Sequence, residues 1–383
     1  MGNRRALVLV VLGVVALEAA VWVVAPEPDF LAGPGARVHR YLPGWNYYGQ
    51  PPLEVPPPAG KLIGVAQNDQ LLKFNRYGFL YPEEKLRRSG PDEFRIAVLG
   101  GSAAECAALR PENRLTALLE RRLGREEPTA AVTVLNLGIS SQATWTHLAN
   151  VGQHVVDLDV DLMILLIGAN DLIRARADEE ILLIDPMFAA NPRLTPALVA
   201  RWLIVRTQIG RWLRKGYLAL RREGSQEPYF LPTVRFVRSI PVLPFEPQFK
   251  PQALDSYEKA IVSMAAIAHA HGIGVLFLTQ PMLWSQNNTP EESSVFWMNQ
   301  YEHEGRILKL LPGSAARLLE TLNARLLDTC LRRGFQCLDL ASEVPRSLEF
   351  FYDDLHFNDR GASLVAGEIA KAVLPRLREA RGR

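Results

Sequence analysis

The regular part of the chain opens with an apolar run that ends in two glycines and a serine, Phe94-Arg95-Ile96-Ala97-Val98-Leu99-Gly100-Gly101-Ser102. A short apolar run of this kind predicts a strand that is buried in a parallel sheet. The two glycines predict a tight turn into a helix. Ser102 would then present its hydroxyl at the start of that helix, beside backbone N–H groups that have no acceptor within the helix.

Further along the chain, short apolar runs alternate with segments that have helical periodicity. The predicted strands are Phe94–Leu99, Val132–Leu137, Leu162–Ile167, Ile273–Thr279 and Phe335–Leu340. The predicted helices are Arg114–Leu123, Gln142–Val156, Leu254–His271, Ala315–Arg332 and a last helix from Gly361 to about Leu374, which ends before Pro375. This alternation predicts an α/β fold, in which helices cover both faces of a mostly parallel sheet.

Four short polar stretches follow, or closely trail, predicted strands. They are Gly100-Gly101-Ser102, Asn136-Leu137-Gly138, Gly168-Ala169-Asn170-Asp171 and Asp353-Asp354-Leu355-His356. Strand ends of an α/β sheet meet at one edge, where such folds place their sites, so we expect these stretches to converge. An aspartate three residues before a histidine, in a turn, can orient the imidazole as a base, and a base of this kind activates a serine hydroxyl.

In order and content these stretches resemble the four blocks of the SGNH (GDSL) hydrolase family, which carry Ser, Gly, Asn and His. The resemblance covers about residues 94–174 and 335–370. It implies a flavodoxin-like three-layer α/β/α sandwich with a mostly parallel five-stranded sheet. It also implies that Ser102 is the nucleophile, His356 the general base and Asp353 the carboxylate that orients the imidazole. The amides of Ser102 and Gly138 and the side chain of Asn170 would form the oxyanion hole.

The chain departs from the family pattern in several places, two of which concern candidate site residues. Gly101 stands where the namesake motif has an aspartate, and Asp354 is a conceivable alternative to Asp353 as the orienting carboxylate. The flanking aspartate takes no part in the chemistry, so its loss leaves the implied mechanism intact.

Composition and motifs exclude several other classes of protein. The net charge of +2 and the lack of a dense basic block give no support for a nucleic-acid partner. No glycine-rich nucleotide motif and no metal-ligand spacing occurs, so we expect no cofactor and no metal. Cys330 and Cys337 flank a predicted helix-to-strand turn, where they could form a disulfide in an oxidising compartment or remain as two free thiols. The sequence leaves the oligomeric state open.

Residues 1–29 predict an N-terminal signal anchor. The segment from Ala6 to Ala25 is apolar except for Glu18, and about 20 apolar residues suffice for a membrane-spanning helix. Arginines precede this segment and acidic residues follow it, so the rest of the chain should be exported. We therefore expect a membrane-anchored protein whose catalytic domain is extracytoplasmic, in a bacterial periplasm or at the cell surface. A cleaved signal peptide is the alternative.

The remainder divides into a proline-rich connector at 30–93 and a hydrolase domain at 94–383, which carries an insertion at about 175–252. The insertion contains a predicted basic helix with Trp202 and Trp212. This helix either packs on the flank of the domain or binds a membrane surface through its arginines.

These observations lead to one expected function and two alternatives. We expect an extracytoplasmic serine esterase that cleaves an acyl group, such as O-acetyl, from a glycan or lipid of the cell envelope. The first alternative is an O-acyltransferase of exopolysaccharide modification, in which a sugar hydroxyl replaces water as the acceptor. The second is a non-catalytic envelope binding or assembly protein with the same fold.

Overall fold

The computed structural model describes residues 79–140, 142–174, 239–303 and 306–382, together with positions 46–47, 72–73, 75, 209 and 237. All of these except Ile209 belong to one compact unit that spans 43–181 and 228–383. The predicted anchor at 1–29, most of the connector and the predicted helix with Trp202 and Trp212 lie outside the described residues. Among the described helices, none combines the length and the apolar character that crossing a bilayer requires.

The described strands are β1 (Asn46–Tyr47), β2 (Leu72–Lys73), β3 (Glu93–Gly100), β4 (Ala131–Gly138), β5 (Leu162–Leu166), β6 (Gly274–Leu278), β7 (Gln300–His303), β8 (Arg306–Lys309) and β9 (Gln336–Leu338). The described α-helices are α1 (Ser102–Glu105), α2 (Leu115–Glu126), α3 (Thr144–Gln153), α4 (Ala169–Arg174), α5 (Pro251–Ala270), α6 (Pro290–Ser294), α7 (Pro312–Arg333), α8 (Leu340–Glu343) and α9 (Asp359–Arg381). Short 3₁₀ helices cover Glu83–Leu86, Pro111–Asn113 and Val155–Asp157.

Five of these strands form one parallel sheet in the order β4-β3-β5-β6-β9. The five strands that the sequence predicts are thereby confirmed. Every residue of β3 and β5 is buried, which requires helices on both faces of the sheet. Helix α2 packs against α9, and α5 packs against α3 and α7. These helix groups and the buried strands fit the three-layer α/β/α arrangement.

The last helix corrects the prediction that it ends before Pro375. Helix α9 continues through this proline to Arg381. Pro375 lies on the exposed side of the helix, where water can satisfy the carbonyl that loses its N–H partner. Val373 and Leu377 on the other side are 1% and 0% exposed, so packing against the domain continues past the proline. Burial of this face outweighs the local cost of the proline.

The end of the predicted connector contacts the domain closely. Phe79 and Tyr81 are 1% and 3% exposed, and the ring of Phe79 lies edge-on to His154 at 6.2 Å. Arg88 pairs with Asp159 and Asp161, which lie just before β5. These contacts join residues 79–92 to the sheet.

Two further features complete the described fold. Strands β7 and β8 form an antiparallel hairpin that the sequence did not predict. Cys330 and Cys337 form a disulfide that joins the end of α7 to β9, which answers the question that the sequence left open.

Candidate active site

Ser102 is the first residue of α1, directly after the turn that ends β3. Gly101 caps this short helix, and a Cβ atom at position 101 would collide with Nδ2 of Asn170. Only glycine therefore fits here while the carboxamide of Asn170 lies over the turn.

His356 connects Ser102 to a carboxylate. Its Nε2 lies 2.6 Å from Oγ of Ser102, although the two residues are 254 positions apart in the chain. Its Nδ1 lies 2.7 Å and 2.9 Å from the two carboxylate oxygens of Asp353. The structure thus brings together three of the predicted site residues in a hydrogen-bonded series. A serine, an imidazole and a carboxylate in this order can abstract and return one proton.

The two consecutive aspartates point to different partners. Asp353 contacts the imidazole, and its Oδ1 also accepts the backbone N–H groups of Leu355 at 3.0 Å and His356 at 2.9 Å. Oδ2 of Asp354 instead accepts N–H groups from Trp284, Trp297 and Met298. Asp353 is therefore the carboxylate in position to orient the imidazole.

Burial and neighbouring charges shift the pKa values of His356, Asp353 and Asp354. Burial lowers the pKa of His356, but the charge and hydrogen bond of Asp353, with the charges of Asp354 and Glu105, raise it overall. Burial raises the pKa of Asp353, but the charge and hydrogen bonds of His356 and the Leu355 amide lower it overall. Burial and the charge of Asp353 raise the pKa of Asp354 to about 7, although backbone amides act against this change.

Two hydrogen-bond donors lie beside the serine. The amide N–H of Ser102 is at the start of α1, and none of the described residues accepts a bond from it. Asn170 is in the first turn of α4, and its Nδ2 donates to the carbonyl of Gln142 at 2.9 Å. A carboxamide carries two N–H groups, so the second can serve an oxyanion at the serine.

The predicted role of Gly138 needs correction. Its amide donates to Oδ1 of Asn136 at 3.0 Å, and Nδ2 of Asn136 donates to the carbonyl of Glu105 at 3.0 Å. A Cβ atom at Gly138 would collide with the backbone nitrogen of Glu105. Gly138 thus lets α1 pack tightly against β4, and its N–H is already engaged. The candidate oxyanion hole consequently has two of the three donors that the sequence predicts.

A small recess opens beside Ser102, with a volume of about 10 Å³. This volume is enough for about one water-sized group. Its apolar walls are Leu166, Ile167, Met298 and Leu355, and its polar lining comes from Gln142, Asn170 and Gln280.

Sequence reasoning missed two aromatic residues at this site. The ring of Tyr352 lies 5.4 Å from the imidazole of His356 and is inclined to it by 9°. The ring of Trp297 lies at 6.1 Å with an angle of 18°, and its Nε1 donates to Oδ2 of Asp353 at 2.9 Å. Tyr352 could have been suspected because it precedes Asp353. Trp297 is 56 residues away from Asp353 and has no local signal.

Fold and site together define an α/β protein that holds a serine, a histidine and an aspartate in series at the carboxyl end of its parallel strands. No protein-family model and no curated protein matched the chain. Solved structures did match it.

Three of these structures are a putative acylhydrolase from Bacteroides fragilis, a catalytic mutant of an acetylxylan esterase from Geobacillus stearothermophilus, and a GDSL-like lipase from Bacteroides thetaiotaomicron. The acylhydrolase is 15% identical over 77% of this chain and 93% of its own, with a TM-score of 0.40. The esterase is 13% identical over 76% and 96%, with a TM-score of 0.41. The lipase is 11% identical over 77% and 91%, with a TM-score of 0.38. Similarity at this level does not indicate the activity of this chain.

Proposed function

We propose that the chain is an extracytoplasmic serine esterase of the SGNH type, which removes a short acyl group such as O-acetyl from a glycan or lipid of the cell envelope. The observation that carries this proposal is the 2.6 Å contact between Ser102 Oγ and His356 Nε2, with Asp353 on the other ring nitrogen.

In the first half of the proposed reaction, Ser102 Oγ attacks the ester carbonyl while Nε2 of His356 takes its proton. Asp353 keeps the second ring proton on Nδ1, so that Nε2 is the basic atom, and it stabilises the imidazolium that forms. The carbonyl oxygen becomes an oxyanion, which the amide of Ser102 and Nδ2 of Asn170 would bind. The intermediate collapses when the ester C–O bond breaks, and His356 returns the proton to the leaving alcohol.

In the second half, water replaces the alcohol. The water attacks the carbonyl carbon of the acyl-serine ester while His356 takes its proton. The amide of Ser102 and Nδ2 of Asn170 would bind the second oxyanion. The acid leaves and the proton returns to Ser102. No group other than water enters, so the cycle balances without a cofactor.

Three features support the substrate class and the location. The small recess beside Ser102 has mainly apolar walls, against which the acyl group of an ester can pack. The apolar segment before residue 26 and the acidic residues after it favour export. The pairing of Cys330 with Cys337 agrees with an oxidising compartment, where disulfides persist.

The test compares the purified full chain with two serine variants on nitrophenyl acetate, butyrate and octanoate. Ser102→Ala should lose hydrolysis while its melting temperature stays near that of wild type, because one turn hydroxyl contributes little packing. Ser342→Ala removes an exposed hydroxyl in α8, which donates to the carbonyl of Asp339, and should hydrolyse acetate like wild type. A fluorophosphonate should label Ser102, as read by mass spectrometry of the digested protein.

A folded wild-type protein that neither labels at Ser102 nor cleaves any ester would refute the proposal. Preference for octanoate over acetate would contradict the short acyl group. A parallel incubation with a glycan acceptor measures whether a sugar hydroxyl competes with water.

A further inference from the structure

Trp297 contacts the proposed catalytic group, yet the proposed mechanism gives it no role. Its indole N–H donates to Oδ2 of Asp353, the carboxylate oxygen nearer to Nδ1 of His356. Its ring is half-buried and lies nearly parallel to the imidazole. One side chain therefore touches both the orienting carboxylate and the base.

The two oxygens of Asp353 are fixed in different ways. Oδ1 is held by its own turn, since it accepts the amides of Leu355 and His356. For Oδ2, the indole of Trp297 is the one donor outside this turn among the described residues. The two oxygens move together when the carboxylate rotates about its Cβ–Cγ bond, so the indole bond to Oδ2 adds a restraint on the whole carboxylate plane from outside the turn. Trp297 thus helps to fix the carboxylate plane that faces Nδ1 of His356.

The backbone of Trp297 is itself held by Asp354. Its Oδ2 accepts the backbone N–H groups of Trp297 at 2.9 Å and Met298 at 2.7 Å, as well as the indole N–H of Trp284 at 3.2 Å. Asp354 is fully buried, so these bonds are shielded from water. The two adjacent aspartates thus have different roles. Asp353 faces the imidazole, and Asp354 anchors the segment that carries Trp297.

We propose that Trp297 is a positioning residue for hydrolysis at Ser102, which fixes the Asp353 carboxylate through its indole N–H and is itself held in place by Asp354. This inference rests on the proposed function. Trp297 acts through Asp353 and takes no part in bond making or breaking.

The decisive variant is Trp297→Phe, which keeps an aromatic ring and removes the N–H. Asp353 then loses one donor and becomes more basic, so it attracts the imidazolium of His356 more strongly. A higher pH is needed to free the base, and the acid limb of kcat/KM should move up by about 0.5–1 pH unit. At neutral pH kcat should fall about tenfold while KM stays within about twofold, because the indole N–H faces Asp353.

Trp284→Phe is the matched control. It removes an indole N–H that donates to Asp354 instead of Asp353. This variant should melt at a lower temperature because a buried acceptor loses a donor. Its acid limb should not move up, because loss of this donor favours the neutral form of Asp354, whose charge otherwise raises the pKa of His356.

Two additions keep the test decisive. If Trp297→Phe does not fold, 3-benzothienyl-alanine at position 297 replaces only the indole N–H by sulfur and preserves the shape of the ring. The pKa of His356, followed by NMR in the full chain, should rise in the Trp297 variant even without substrate.

The outcomes separate the two proposals. An active wild type whose acid limb and His356 titration do not respond to the Trp297 change would overturn this inference. An equal shift in Trp284→Phe would also overturn it. A raised pKa of His356 in a protein that cleaves no ester would support the positioning role and refute the proposed function.

Discussion

Asp353→Asn should abolish most activity, for a reason that the hydrogen bonds of this side chain give directly. Oδ1 accepts the amides of Leu355 and His356, so the single oxygen of the asparagine must occupy that position. The NH₂ group then replaces Oδ2 and faces two donors, Nδ1–H of His356 and the indole N–H of Trp297. His356 relieves the first conflict by moving its proton to Nε2, which then points at Ser102. A ring in this tautomer cannot accept the serine proton.

The expected size of the loss follows from this tautomer change. The same substitution in the serine-protease triad lowers kcat about 10⁴-fold, which corresponds to about 5.4 kcal/mol of activation free energy. The unsatisfied indole N–H should also lower the free energy of unfolding by about 1–3 kcal/mol.

The assay is kcat for nitrophenyl acetate between pH 5 and 9, with urea denaturation on the same preparations. Asp354→Asn is the comparison, since its oxygen can still accept the amides of Trp297 and Met298 and it does not contact the imidazole. Its kcat should stay within about tenfold of wild type. If Asp354→Asn were the more damaging variant, or if Asp353→Asn kept nearly full activity, the assignment of the orienting carboxylate would be wrong.

Two further predictions concern the oxyanion donors and the buried carboxylate. Asn170→Ala should lower kcat about 10²–10³-fold and leave a measurable residual rate through the Ser102 amide; loss of binding with unchanged kcat would argue against an oxyanion donor. The pKa of Asp354 is raised from its ordinary 3.8 to about 7 in the folded state, so the folded protein binds this proton more tightly than the unfolded chain. The contribution of Asp354 to the free energy of unfolding should therefore be fully present below about pH 4 and be lost as the pH rises through about 7. Asp354→Asn should flatten that decline in urea titrations, and an unchanged slope would contradict the raised pKa.

Short-range sequence patterns predicted the sheet strands and most of the candidate site residues. Runs such as Phe94–Leu99 are apolar because both faces of their strand are covered, and this is visible in the sequence. The candidate site residues could be predicted because polar residues at strand ends converge in parallel sheets. These residues are Ser102, Asp353, His356 and Asn170. The structure brings Ser102, His356 and Asp353 together as expected.

The missed parts depend on tertiary contacts. The sequence shows a glycine at 138 but not the direction of its N–H, which the side chain of Asn136 accepts. Trp297 could not be linked to Asp353 because the two meet across 56 residues with no periodicity between them. Helix α9 continues through Pro375 because Leu377 is buried against the domain, and helix propensities alone do not predict this burial. The anchor at 1–29 and the Trp202 helix stay predictions.

Among the described strands, the parallel sheet ends on one side at β9, which has three residues and pairs with β6. An outermost strand invites backbone pairing with other polypeptides, and brevity is one natural defence against such association. Here the sulfur bridge from Cys337 to α7 adds a covalent restraint at the same margin. Protein expressed in a reducing host would lack this disulfide, so its tendency to aggregate during purification should depend on the redox conditions.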